Sequence, residues 1–126
     1  MSKEIEKEIE KTIAEYLTAV RTGLKEHFDR AFYPDAVVIN ASESDPEKAT
    51  VSIQDFAKTI KSRIDKGISV EEKPKATNIS YAGRVANVRL DFELRIGEQT
   101  LHGTDFFNMV KREHWRISQK IYDVTG

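Results

Sequence analysis

An ionisable side chain stands among apolar ones in the segment TLHGTDFFNMVK, whose alternating residues indicate a β-strand. Asp105 has the same strand parity as Leu101, Phe107 and Met109, so its carboxyl group should point toward the apolar face. A buried carboxyl group must be paired, hydrogen-bonded or protonated with a raised pKa, which suits an acid, a base or a ligand anchor. The alternative is a β-bulge at Gly103 or at the two phenylalanines, which would turn Asp105 toward solvent or a backbone contact.

Two amide side chains interrupt apolar patterns in the same way. Gln119 has the strand parity of Trp115 and Ile117, and Asn40 has the parity of Val38. An amide does not titrate, so both side chains suit hydrogen bonding to a ligand better than proton transfer. For each of them, hydrogen bonding to a nearby backbone group is the structural alternative.

Aromatic residues complete the set of candidate ligand-binding side chains. Tyr16 lies on the apolar stripe of the first helical segment, where a buried hydroxyl group needs a hydrogen-bond partner. We predict that Phe32, Phe56 and Trp115 line a ligand pocket because they lie on elements expected at its mouth. Ordinary core packing is the general alternative for the aromatic residues of this chain.

Several kinds of chemistry are excluded by residue type and spacing. The chain has no cysteine, so it has neither disulfide bonds nor thiolate chemistry. His27, His102 and His114 do not follow any metal-binding spacing, and no glycine-rich phosphate loop or GxSxG motif occurs. We therefore expect no metal and no cofactor.

The charge balance argues against nucleic-acid and membrane surfaces. Lys and Arg number 20 against 21 Asp and Glu, for a net charge of -1, and the two signs alternate along the chain. The N-terminus is charged from Lys3 onward, and no apolar run approaches the length of about 20 residues that spans a bilayer. We expect a soluble, cytoplasmic protein.

Helices occupy most of the first half of the chain. Apolar residues at spacings of three and four predict a first helix that ends at Gly23 and a short second helix that ends at Pro34. Ser52 and Asp55 resemble a capping box at the start of a third helix, which ends at Gly67.

Strands follow the helices. DAVVINA predicts a short early strand, and from Lys73 onward the apolar period changes to two through a long antiparallel meander. The pattern predicts one α+β domain, residues 1–126, in which three helices pack on a strongly curved antiparallel sheet. Such a sheet leaves a pocket beside the helices. The polar strand face with Arg89, Asp91 and Glu93 is either a solvent surface or a dimer surface.

The order and spacing of these elements resemble the NTF2-like superfamily, in particular its SnoaL-like and putative lumazine-binding members. The resemblance rests on EYLTAVRTG, FDRAFYPDAVV, SIQDFAKTI, RVANVRLDFEL and GTDFFNMVKREHWRISQKIY. It implies a cone-shaped fold, a homodimer and a small-molecule pocket at the wide end of the cone.

The resemblance also implies roles for individual residues. Tyr16 matches the oxyanion-binding tyrosine of the ketosteroid-isomerase branch, and Asp105 corresponds loosely to its second acid. Asn40 stands where that branch has its general-base aspartate, and an amide cannot abstract a proton.

Three functions therefore remain open. The first is a homodimer that binds a small apolar or aromatic ligand through Tyr16, Asn40, Asp105, Gln119 and the three predicted pocket aromatics. The second is a SnoaL-like isomerase or dehydratase in which Asp105 is the acid or base and Tyr16 stabilises an oxyanion. The third is a protein-interaction module that uses the outer face of the sheet.

Overall fold

The computed structural model describes residues 3–126, which form α-helices and β-strands. The helices are α1 Lys3–Thr22, α2 Lys25–Ala31, α3 Pro46–Ala49 and α4 Ile53–Asp65. The strands are β1 Phe32–Asn40, β2 Thr50–Ser52, β3 Val70–Ala82, β4 Val85–Ile96, β5 Gln99–Lys111 and β6 Trp115–Val124. No helix within residues 3–126 is long and apolar enough to cross a membrane.

The six strands form one curved sheet in the order β2-β1-β6-β5-β4-β3. Strands β3 to β6 are an antiparallel meander, as the alternating pattern predicts. Strand β1 lies beside β6 and runs parallel to it, so the sheet is mixed at this side. The helices cover the concave face, and the predicted α+β architecture is confirmed.

The helix boundaries follow local signals in the sequence. Gly23 ends α1 with a φ of 72°, a left-handed conformation that favours glycine because it has no Cβ. The Ser52 side chain accepts a hydrogen bond from the backbone N–H of Asp55 at 3.1 Å, which caps α4. The second helix ends at Ala31 rather than at Pro34, because the chain is already extended at Phe32.

A β-bulge in β6 decides which of its side chains enter the core. Met109 of β5 pairs with Ile117, but Asn108 pairs with Gln119, so Ser118 is an extra residue in β6. An extra residue reverses the inward and outward alternation beyond it. Gln119 consequently faces outward beside Asn108, and the orientation predicted for it from strand parity is wrong.

Strand β5 has no such irregularity against β4. The pairs run without a register shift, and Asp105 stands opposite Leu90 on the inward face. The bulge considered at Gly103 does not occur there. Glycine is required at position 103 for space, because a Cβ would overlap the backbone oxygen of Asp123 and lie 2.6 Å from the Phe92 ring.

Candidate functional site

A buried ion pair lies on the concave face of the sheet. Asp105 is fully buried, Lys120 is 3% exposed, and Nζ of Lys120 donates a hydrogen bond to Oδ1 of Asp105 at 2.8 Å. The bulge at Ser118 directs Lys120 inward, and the regular register of β5 directs Asp105 toward it. A buried carboxylate needs such a partner, because burial alone would favour its neutral form.

A second acid adjoins this pair. Glu72 comes from the inward face of β3 and is buried, although it has a charged residue on each side in the sequence. The hydroxyl group of Tyr16, on α1, donates a hydrogen bond to Oε1 of Glu72 at 2.6 Å. Four elements thus each contribute one side chain to what we call the polar cluster, Tyr16, Glu72, Asp105 and Lys120.

The polar cluster holds one more carboxyl group than it has cations. Burial, followed by the charge of Asp105 and a hydrogen bond with it, raises the pKa of Glu72 well above its usual range. Oε2 of Glu72 and Oδ2 of Asp105 are both buried, and no other group in residues 3–126 donates a hydrogen bond to them. A proton on Glu72 would leave the cluster electrically neutral, because Lys120 then balances the charge of Asp105.

Aromatic rings enclose the ammonium group of Lys120. The distance from Nζ to the ring centroid is 3.7 Å for Tyr122, 5.5 Å for Phe56, 5.6 Å for Tyr16 and 6.0 Å for Phe107. The negative faces of these rings replace part of the hydration that the cation loses on burial. The cluster is therefore closed by packed side chains, and no member of it is free to meet solvent.

An open cavity lies elsewhere, between α2, the start of β1 and α4. We call it the α2–α4 cavity, and its volume is about 590 Å³. Its apolar lining residues are Gly23, Phe28, Phe32, Pro34, Ile53 and Ala57. Its polar and charged lining residues are Lys25, Asp29, Tyr33, Gln54, Lys58, Lys61 and Arg116. An apolar floor with polar groups at the rim is the usual construction of a small-molecule site.

Residues 4–123 match the model of the family described as "Putative lumazine-binding". The chain belongs to this family. The match covers nearly the whole sequence, and the curved sheet with helices on its concave face is that of the NTF2-like superfamily. No curated protein matches the sequence.

Solved structures show the same fold at low sequence identity. An NTF2-like protein of unknown function from Silicibacter pomeroyi is 21% identical, with a TM-score of 0.78 over 99% of this chain and 100% of its own. One from Methylobacillus flagellatus, also of unknown function, is 21% identical, with a TM-score of 0.72 over 100% and 96%. A putative scytalone dehydratase from Novosphingobium aromaticivorans is 18% identical, with a TM-score of 0.75 over 95% and 83%. These similarities establish the NTF2-like fold alone.

The predicted site residues of this NTF2-like chain do not converge on one pocket. Tyr16 and Asp105 meet in the polar cluster, and Phe56 lies against Lys120. Of the seven, Phe32 alone is among the lining residues of the α2–α4 cavity.

The other three predicted residues lie apart from both sites. Oδ1 of Asn40 accepts a hydrogen bond from the backbone N–H of Ser42 at 2.9 Å, the structural alternative considered for it. Oε1 of Gln119 accepts a hydrogen bond from Asn108 at 2.8 Å on the outer face. Trp115 is buried, and its Nε1 has no hydrogen-bond partner within the described chain.

Two residues of the polar cluster are not apparent from the sequence pattern. The apolar alternation of β3 is clear only from Lys73 onward, where Ile79 and Tyr81 face inward. A register shift between Pro74 and Ala76 reverses this alternation, so Glu72 faces inward with Val70 although its parity differs from that of Ile79 and Tyr81. Lys120 would face outward if β6 had no bulge, and no residue type near Ser118 indicates that a bulge occurs there. Across the described residues, no group of His, Asp and Glu side chains could hold a metal ion.

Proposed function

We propose that this NTF2-like protein binds a small organic molecule in the α2–α4 cavity. The observation that carries the proposal is an open cavity of about 590 Å³ with an apolar floor, a volume in the usual range of about 300–1,000 Å³ for ligand sites. The family description names lumazine, a fused-ring aromatic heterocycle, and a molecule of that kind is within the capacity of the cavity. Phe28 and Phe32 lie at the base of its apolar floor, where both are nearly buried.

An acid–base enzyme at Asp105 has less support. A substrate would have to displace Lys120 from Asp105 and open the ring of aromatic side chains around it. Asn40 is an amide engaged in a turn, and the one carboxyl group beside Asp105 in the polar cluster, that of Glu72, is itself buried and hydrogen-bonded to Tyr16. Small-molecule binding in the open cavity requires no such rearrangement.

Filling the cavity tests the binding proposal. In Ala57→Trp, the indole ring would occupy the apolar floor, and we expect the affinity for the neutral fluorescent probe phenylnaphthylamine to fall at least about tenfold. Fluorescence titration measures the affinity. The matched control is Ala14→Trp, at an exposed position of α1 outside the cavity. Equal binding of the probe by the wild-type protein and Ala57→Trp would contradict the proposal.

We also propose that two copies associate through the outer face of the sheet. Val85 on β4 and Phe106 on β5 are 57% and 42% exposed and point outward, where association would bury them. The face also carries charges of both signs, including Arg89 and Asp91, which suits pairing about a two-fold axis.

The oligomeric state tests this second proposal. Sedimentation equilibrium should give a dimer for the wild-type protein and a monomer for Phe106→Glu, because a charge at the centre of an apolar contact opposes its burial. Leu24→Glu changes a residue that is 46% exposed on the helical side and should leave the dimer intact. A monomeric wild-type protein would refute association, and a dimeric Phe106→Glu variant would refute this interface.

A further inference from the structure

The charged residues around the α2–α4 cavity are unbalanced. Lys25, Lys58, Lys61 and Arg116 line it against the single carboxylate of Asp29, so its lining carries a net charge of +3. The whole chain has a net charge of -1. The positive charge at this cavity is therefore local, and it stands beside an apolar floor.

Two of the four cations form exposed ion pairs with acids of their own helices. Nζ of Lys25 lies 2.7 Å from Oδ2 of Asp29, and Nζ of Lys61 lies 3.2 Å from Oδ2 of Asp65. Both pairs have the spacing that places two side chains on the same side of a helix. Within residues 3–126, Lys58 and Arg116 have no ion-pair partner, although both line the cavity.

The guanidinium group of Arg116 lies near the Tyr33 ring, as does that of Arg112. The guanidinium carbon of Arg116 lies 5.8 Å from the centroid of the Tyr33 ring, and Tyr33 donates a hydrogen bond to the backbone oxygen of Val110 at 2.8 Å. Within the described residues this Arg116 group donates no hydrogen bond, so its N–H donors remain available to a carboxylate, sulfonate or phosphate.

We propose that the ligand of the α2–α4 cavity is an amphiphilic organic anion, whose apolar body packs on the apolar floor of the cavity and whose anionic group is bound by Lys58 and Arg116. This inference rests on the proposed function, because it names the ligand class of the same cavity. The proposal predicts that the cavity prefers anionic ligands to neutral ring systems. Neither the family description nor the similar structures assign a charge to the ligand.

A pair of fluorescent probes separates the anionic group from the apolar body. Anilinonaphthalenesulfonate and phenylnaphthylamine share their ring systems, and the first carries a sulfonate group that the second lacks. We expect the sulfonate probe to bind about tenfold more tightly at low salt and to lose this advantage as salt rises. The neutral probe should be insensitive to salt.

Charge-removing variants identify the groups responsible. Arg116→Gln should weaken binding of the sulfonate probe about five- to tenfold, and Lys58→Gln, which is more exposed, about two- to fivefold. Neither should change binding of the neutral probe. Lys66→Gln is the matched control, since Lys66 follows α4 but does not line this cavity.

The outcomes distinguish this inference from the proposed function. If both probes bind with equal affinity and the charge variants change neither, the inference is refuted while the binding proposal stands. If neither probe binds the wild-type protein, the binding proposal itself fails. A sulfonate probe that remains bound to Ala57→Trp lies outside the cavity and also overturns the inference.

Discussion

Replacing Lys120 by methionine is expected to lower the free energy of unfolding by about 3–5 kcal/mol, because the change leaves the Asp105 carboxylate buried without its partner. Methionine is nearly as long as lysine, so packing against the surrounding rings is largely retained. The loss is electrostatic, since the ammonium group supplies both the charge and the hydrogen bond that Asp105 receives. Urea denaturation monitored by circular dichroism measures the change.

A double variant tells whether the unpaired charge causes the loss. Asp105→Asn with Lys120→Met removes both charges and keeps an acceptor for the proton of Glu72, so it should recover about 2 kcal/mol or more of the single-variant loss. Lys25→Met is the control, because it breaks a similar ion pair whose side chains are mostly exposed and should change stability little. If Lys120→Met and Lys25→Met lower the free energy of unfolding by the same small amount, the buried pair of Lys120 and Asp105 does not stabilise the fold in the way argued here.

Replacing Glu72 by glutamine is expected to flatten the pH dependence of stability above pH 5. Burial and the charge of Asp105 raise the pKa of Glu72 in the folded state, whereas the unfolded value is near 4.5. The contribution of Glu72 to stability is fully present below that unfolded value and is lost as the pH rises toward the folded pKa. Each pH unit in this window lowers the wild-type stability by about 1.4 kcal/mol relative to a residue that does not titrate.

Glutamine imitates the protonated acid. Its oxygen can accept the hydrogen bond from Tyr16, and its amide can donate to Asp105, so the fold should be retained. The difference in unfolding free energy between Glu72→Gln and the wild-type protein should shift in favour of the variant from pH 5 to pH 8. Glu71→Gln, at the exposed neighbour on the other face of β3, should follow the wild-type curve. Parallel curves for Glu72→Gln and the wild-type protein would falsify the assignment of a proton to Glu72.

Much of the fold could be predicted from the sequence because its elements carry strong local signals. The apolar stripe of α1 and the glycine after it indicate the buried side and the end of that helix. The alternation in β4 indicates which side chains of the meander face inward. Asp105 could be oriented correctly, since β5 keeps its register along the whole of β4. Strand parity could not identify Lys120 as the partner of Asp105, because a contact between β5 and β6 depends on the register of the two strands.

The site was less accessible to prediction than the fold. The α2–α4 cavity arises where three elements fail to fill the space between them, and residue spacing within any one element does not encode such a gap. Phe32 could be proposed as a lining residue from its type and position. The sequence pattern does not distinguish Lys58 and Arg116 from ordinary charged surface residues. The roles predicted for Tyr16 and Asp105 in ligand binding stay predictions, and their burial in the polar cluster indicates a structural role as well.

The extra residue in β6 also affects how related sequences should be aligned. Relatives whose last strand is regular have one residue fewer between the hairpin and the position that faces Asp105. An ungapped alignment would then place Lys120 in the same column as an outward-facing residue of such a relative. Placing the gap at Ser118 rather than in the preceding hairpin brings the inward positions into one column.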